Sequence, residues 1–323
     1  MEKIAVILGQ KVLYCQSLTV GLAALCAVLL FLSLYLRERQ EAAPGIWGAA
    51  LAAVLGLILG RLAHWYCQAD AYESFAAAFL NFRVGSFALM GVFAGCLLSA
   101  WILKRTGLEP HMGCTLDCMA GAGCLGMALG RLGFFFNASD RGILMEKAGP
   151  FVSPVVNPVS GQVELRLATF LLQAAAAAVI FLVLMALWKR KKRDGDLCLV
   201  FLLLYGASQV VLDSTRYDAL FLRSNGFVSA VQILSALAIG TAAVVFSVRA
   251  VKARGWHWGF LPLWLGMAGL IGGAGYMEYH VQRHGSEAAF AYSVMSLCLG
   301  AYAGLALLLR HMGNKETGHS QLP

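Results

Sequence analysis

The stretch ATFLLQAAAAAVIFLVLMALWKRKKRDG, Ala168 to Gly195, decides the class of fold. Residues 168–188 carry no charge. As a helix they would run about 30 Å, the thickness of a bilayer's hydrocarbon core. Five consecutive basic residues, Lys189 to Arg193, then end the run. Inside hydrocarbon the backbone must satisfy its own polar groups, and this segment is too long for a barrel strand, so it reads as a transmembrane helix.

The same pattern recurs along the chain. Of 323 residues, 59% are apolar and 13% are charged, with a mean hydropathy of +0.71; soluble domains carry about 25% charged residues. Apolar runs centre on 17–36, 45–65, 85–103, 113–133, 168–188, 196–212, 228–248, 258–277 and 289–309. The expected fold is therefore all-α, a polytopic transmembrane helical bundle of about nine spans, with the first run an anchor rather than a cleaved signal.

Basic residues between the spans set the orientation. The odd-numbered loops and the C-terminal tail, with Arg37, Arg39, Lys104, Arg105, Lys189–Arg193, Arg249, Lys252, Arg254, Arg310 and Lys315, carry a net charge of +7; the N-terminus and even-numbered loops carry +1. This predicts an external N-terminus and a cytoplasmic C-terminus. The run Lys189–Arg193 is a topology anchor beside anionic lipid. One short basic loop does not make a nucleic-acid surface, so the net charge of +8 points to no such partner. The nine cysteines include no CxxC and no paired histidines at ligand spacing, so no metal and no soluble cofactor is expected. GAGCLG, Gly121–Gly126, matches a dinucleotide-binding pattern but lies within an apolar helix with no preceding strand. Gly126 and Gly130 instead form a G-x-x-x-G pair for close helix packing.

Sequence complexity collects on the outer side. The segment 134–167 has prolines at 150, 154 and 158. It is longer than most structureless connections, which marks it as functional or folded back on the membrane surface. The segment 66–84, with AYESFAAAFLNF, is a second outer loop suited to the interface. Charge is densest in GRLGFFFNASDRG, Gly130–Gly142. Arg131 sits near the outer end of the fourth span, where an unpaired arginine costs several kcal/mol. Gly130 and Gly133 remove bulk beside it, Asn137 adds a donor and an acceptor, and Asp140 and Arg141 pair or line the mouth. In LLLYGASQVVLDSTRYD, residues 202–218, Tyr205, Gln209, Asp213 and Arg216 share one helical face. Such a stripe faces the protein interior or a cavity, with Asp213 and Arg216 a rim ion pair. Ser229, Gln232 and Ser235 form a smaller patch. His64, His280 and His284 supply potential bases near neutral pH; EYHVQRH, 278–284, is not the zinc motif HExxH.

GRLGFFFNASDRG resembles the signature G-R-x-G-N-F-x-N-x-E-x-x-G of the prolipoprotein diacylglyceryl transferases, matching it at Gly130, Arg131, Gly133, Phe135, Asn137 and Gly142. The family's later YG-x-x-R-x-x-x-E-x-x-R block resembles Tyr205, Gly206, Gln209, Asp213 and Arg216. Its S-x-x-Q-x-L-S matches Ser229, Gln232, Leu234 and Ser235, and its early G-R-L matches Gly60, Arg61 and Leu62. The likeness covers about residues 10–250. It implies a seven-span core, so that 1–254 forms a transferase-like membrane domain and 255–323 adds two helices and a short cytoplasmic tail.

The resemblance implies a reaction in which the diacylglyceryl group of phosphatidylglycerol moves to the lipobox cysteine of a prolipoprotein signal peptide, at the outer face of the bacterial plasma (inner) membrane, with no cofactor. The implied catalytic set is Arg131, Tyr205 and Asp213, with His64, His280 or His284 as base. The implied binding set is Arg61, Asn137, Asp140, Gln209, Arg216 and Gln232. The sequence departs from the family at Phe134, Ser139, Gln209 and Asp213, and Ala88 or Leu89 stands where the family carries a histidine. A catalytically silent or altered-substrate protein that binds phospholipid or lipoprotein precursor is the alternative reading. A transporter would require symmetric broken helices, which the sequence does not contain.

Overall fold

In the computed structural model the described residues are 4–8, 11–80, 86–157, 160–223, 226–284 and 287–314; the side chain of His284 and residue Lys315 lie outside them. Among them, eight helices are long and apolar enough to cross a membrane. The protein is a polytopic helical membrane protein. These helices are α1 (Cys15–Arg39), α2 (Ala42–Cys67), α5 (Met112–Leu132), α6 (Thr169–Trp188), α7 (Asp196–Ser214), α8 (Ala230–Arg254), α9 (Phe260–His284) and α10 (Ala288–Asn314). A six-residue helix, α3 (Phe75–Leu80), lies in the segment 66–84. The third of the nine expected spans is α4 (Leu89–Arg105), with 17 residues. At about 26 Å it is shorter than a full hydrocarbon crossing.

The chain divides into two compact units, Met1–Cys198 with Thr215–Ala230, and Leu199–Ser214 with Val231–Pro323. Within the first, small residues set the packing. A Cβ at Gly95 of α4 would stand 2.5 Å from the backbone nitrogen of Gly56 in α2, and one at Gly91 would fall on the carbonyl of Leu59. Gly56, Gly60, Gly91 and Gly95 thus form two facing G-x-x-x-G pairs that bring two backbones into contact. The pair Gly126 and Gly130 serves α5 similarly: added Cβ atoms would meet Ala27 and Ala23 of α1 at 3.0 and 3.7 Å.

The ends of these helices are fastened by buried polar groups. Asp117, fully buried in α5, accepts the backbone N–H groups of Gly195 and Cys198 at 3.0 and 2.8 Å. It therefore caps the start of α7 from another helix, satisfying donors that a helix N-terminus leaves open. Lys191 reaches Glu38 at 3.1 Å and Asp117 at 3.8 Å. One member of the basic run Lys189–Arg193 is therefore tied into the fold.

Two antiparallel hairpins accompany the helices: β1 (Ile4–Leu8) with β2 (Lys11–Tyr14), and β3 (Val152–Val156) with β4 (Val163–Leu167). The described residues of the segment 134–167 are therefore folded into a hairpin and its flanks. Leu144 extends the second hairpin by bridging Arg166, and this carries the chain from the end of α5 to the start of α6. In the second unit, α9 packs along α10. There Gly206 of α7 would place a Cβ 2.9 Å from the Ser235 carbonyl and 2.8 Å from Ile239 of α8.

The α2–α4 contact gives a direct expectation. G91V adds a branched side chain where a single Cβ already meets backbone, and should cost about 1–3 kcal/mol, read as a lowered thermal midpoint of the purified protein in detergent. Gly123, where an added Cβ meets nothing within 4 Å, supplies the control: G123A should leave the midpoint unchanged.

Candidate functional site

The residues that carry the signature lie in the first unit, where α5 ends. Beyond Leu132 the chain tightens into a 3-10 turn, Gly133–Phe136. Asn137 then organises the bend: its side-chain oxygen accepts the backbone N–H of Ser139 at 3.1 Å, while its amide nitrogen donates to Gln16 at 2.7 Å. Asp140 follows with φ +57°, a left-handed conformation that non-glycine residues seldom adopt. It is held there from both sides. Its N–H donates to Asp218 at 2.8 Å, and its carbonyl accepts from the N–H of Phe170 at 3.1 Å.

This backbone places the Asp140 carboxylate, 3% exposed, between two guanidinium groups. One oxygen pairs with Arg131 and the other with Arg216. Arg216 also donates from Nε to Asp218 at 3.0 Å. Residues from the end of α5 and from the turn after α7 are thereby joined in one ionic chain, Arg131–Asp140–Arg216–Asp218, centred on the buried Asp140.

Arg141 turns the other way. It is 2% exposed, lies 4.2 Å over the ring of Phe170, and donates from one nitrogen to the carbonyls of Phe134 and Asn137 at 3.1 and 3.0 Å. Burial pulls its pKa down from the ordinary arginine value. Tyr217 covers this turn, donating its hydroxyl to the Ala138 carbonyl at 3.0 Å and its N–H to the Arg141 carbonyl at 3.2 Å. Burial, and then Asp218, raises its pKa. Arg166 stacks at 4.5 Å on Tyr217 and pairs with Glu164 at 2.7 Å.

The signature's glycines have steric reasons here. A Cβ at Gly142 would come within 2.5 Å of the Thr169 hydroxyl and 3.1 Å of the Thr215 carbonyl. At Gly133 it would press at 3.3 Å on the Gln16 carbonyl and on Thr19 of α1.

Of the residues singled out in the sequence, Arg131, Asn137, Asp140 and Arg216 share this neighbourhood. Arg61 and His64 have partners of their own. Arg61, 1% exposed, donates to the carbonyls of Ala78 at 2.5 Å and Ser86 at 3.0 Å. Tyr72 lies beneath Arg61 and bonds His64 Nδ1 through its hydroxyl at 2.7 Å.

In the second unit Tyr205, Gln209 and Asp213 are buried along α7, as a one-sided stripe requires. Tyr205 stacks on Phe201 at 5.2 Å, and Gln232 donates to the Val210 carbonyl at 3.2 Å. His280 is half-buried. Two readings are corrected. The helical stripe stops at Ser214, so Arg216 lies in the turn beyond it, which frees that side chain to reach Asp140. Asp140 takes Arg131 and Arg216, and Arg141 binds carbonyls instead.

Sequence reasoning missed Gln16, Tyr72, Asp218 and Tyr217. Asp218 and Tyr217 stand within the quoted segment ending STRYD; once the helix is ended at Ser214, an Arg-Tyr-Asp turn becomes visible. Glu278 was also unexpected: it is buried, accepting from Ser214 at 2.7 Å and Gln282 at 3.0 Å.

The family model of prolipoprotein diacylglyceryl transferase matches residues 3–248. The chain belongs to that family. Relatives named phosphatidylglycerol–prolipoprotein diacylglyceryl transferase from Streptococcus pyogenes serotypes M5 (strain Manfredo), M49 (strain NZ131) and M18 (strain MGAS8232) are each 25% identical over 240 residues, covering 70% of this chain and 91% of theirs. The family is one of transferases working on lipoproteins, and α9 and α10 lie beyond the matched region.

Because Asp140 is shared by two arginines, D140A takes the buried carboxylate away from two partly buried cations. It should lower stability by about 3–5 kcal/mol, seen as a lower thermal midpoint and faster proteolysis between α5 and α6. An unchanged midpoint would contradict the pairing.

Proposed function

We propose that this protein transfers the diacylglyceryl group of phosphatidylglycerol to the lipobox cysteine of a prolipoprotein, at the outer face of the bacterial plasma membrane. The observation that carries the reading is the Arg131–Asp140–Arg216 cluster around a buried carboxylate, built on the family's signature at the end of a membrane helix.

The chemistry is a substitution at carbon. A sulfur–carbon bond forms at the terminal glycerol carbon of the diacylglyceryl group as that carbon's bond to the phosphate oxygen breaks. The electron pair leaves with glycerol 1-phosphate, and the thiol proton passes to a base. A guanidinium suits such a leaving group because it stays charged and binds phosphate oxygens through directed N–H bonds. The thiolate, not the thiol, is the nucleophile.

Arg131 and Arg216 hold the phosphate on this reading, with Asn137 shaping the turn beneath it. The carboxylate of Asp140 keeps the two guanidiniums in position before lipid arrives. The motif match also assigns lipid binding or positioning to Arg61, Tyr205, Gln209, Asp213 and Gln232. His64 is the base whose surroundings support the role best: Nδ1 meets the Tyr72 hydroxyl, which orients the ring, and the tautomer that donates from Nδ1–H leaves Nε2 to take a proton. His280 and His284 are its competitors.

One observation favours the binding-only alternative. Ala88 or Leu89 occupies the family's histidine position, and Gln209 replaces an arginine.

The protein in phosphatidylglycerol nanodiscs with a lipobox peptide decides between them. Mass spectrometry should find the diacylglyceryl thioether, and R131A should slow its formation by about 10²–10³-fold, as loss of one charge-stabilising donor does. H64A should slow it by about 10²–10⁴-fold, with H280A and H284A near wild type. No thioether from folded, lipid-binding protein would establish the alternative.

A further inference from the structure

The cluster at the end of α5 holds one guanidinium whose buried donors are only partly used. Arg131 and Arg216 pair with Asp140, and Arg216 also with Asp218; Arg166 has Glu164. Arg141 lies in the same turn, next in sequence to Asp140, and two of its nitrogens, Nε and Nη1, are buried with no hydrogen-bond partner. Arg141 thus differs from its paired neighbours: its charge is buried and two of its donors are unspent.

A purely structural task does not account for this side chain. The carbonyls of Phe134 and Asn137 are both served by the single nitrogen Nη2, and a neutral amide NH2 has enough hydrogens for that. The rest of the guanidinium is desolvated charge, stacked on Phe170, and buried donors are normally satisfied. A buried cation with donors to spare fits a group whose partner is an incoming anion. Its exposed neighbours are apolar or aromatic: Phe135, packed against Phe170 at 4.8 Å, is 54% exposed, a surface suited to acyl chains.

We propose that Arg141 is a phosphate-binding residue, whose Nε and Nη1 take the phosphodiester oxygens of a phosphatidylglycerol headgroup when Tyr217 and the turn around it give way. This rests on the lipid-transferase reading, yet it concerns binding and not transfer. Neither the signature nor the motif matches assign a role to this position.

The test uses the full chain, purified in detergent, with short-chain phosphatidylglycerol, short-chain phosphatidylcholine and inorganic phosphate titrated separately. R141Q removes the charge and leaves a polar amide in the turn, its NH2 ending near the depth of the arginine Nε. It is expected to weaken phosphatidylglycerol binding about tenfold, the loss of one charge-assisted contact, with phosphatidylcholine binding unchanged and the lipid-free thermal midpoint equal or higher. Unchanged phosphatidylglycerol affinity, or an equal loss for both lipids with a lowered midpoint, overturns the proposal. Inorganic phosphate should compete only weakly; if it alone shows the Arg141 dependence, the anion is free phosphate and the headgroup assignment fails.

Should R141Q not accumulate as folded protein, R141K is read instead. An ammonium occupied by two carbonyls has one N–H left, so several-fold weaker phosphatidylglycerol binding is expected, and wild-type affinity overturns the proposal. Arg141-dependent binding without any thioether product would defeat the transferase reading alone.

Discussion

The carboxylate of Asp140, set between Arg131 and Arg216, is the contact on which the rest of the site depends. Charge at a membrane boundary is tolerated where it is paired and hydrogen-bonded. Here the pairing is enforced by backbone: a left-handed residue whose N–H and carbonyl are both anchored. The same anchors, Asp218 and Phe170, come from the turn after α7 and the start of α6. The ionic chain therefore ties three parts of the first unit together at the place where the signature ends.

Glycine plays the complementary role. Between α2 and α4, between α5 and α1, and at Gly142 against Thr169 and Thr215, absent side chains let backbones approach. Without a hydrophobic drive between helices in lipid, such close packing and a few buried polar contacts hold a bundle together. Asp117 capping α7 is one such contact; the Ser99 hydroxyl, donating to the Gly48 carbonyl at 2.9 Å, is another. The charged cluster thus sits on a frame whose own stability comes from shape.

Much of this was legible in the sequence, and the reasons differ by level. Apolar runs announced the helices because a bilayer imposes a length, and 168–188 was delimited nearly as the structure has it. The span expected over 85–103 starts later in the structure, since α4 begins only at Leu89. The hairpin β3–β4 went unread: β4, VELRL, alternates over only five residues, and its partner VSPVV carries no clean alternation. In the site, Arg131, Asn137 and Asp140 stood out because polar groups beside a greasy helix need partners. Which partners they take could not be read. Asp140 chooses Arg216 over its neighbour Arg141 because its backbone is left-handed, and no local pattern signals that. Arg216 itself was placed on a helical face that ends two residues earlier.

On the proposed reading, lipid phosphate is received at this cluster. An experimental structure of the protein in phosphatidylglycerol nanodiscs tests it most directly. The prediction is headgroup phosphate within hydrogen-bond distance of Arg131, Arg216 or Arg141, with the Asp140 carboxylate withdrawn from at least one guanidinium to admit it. Phosphate bound elsewhere, with Asp140 still joining Arg131 to Arg216 and Arg141 still covered, would contradict it.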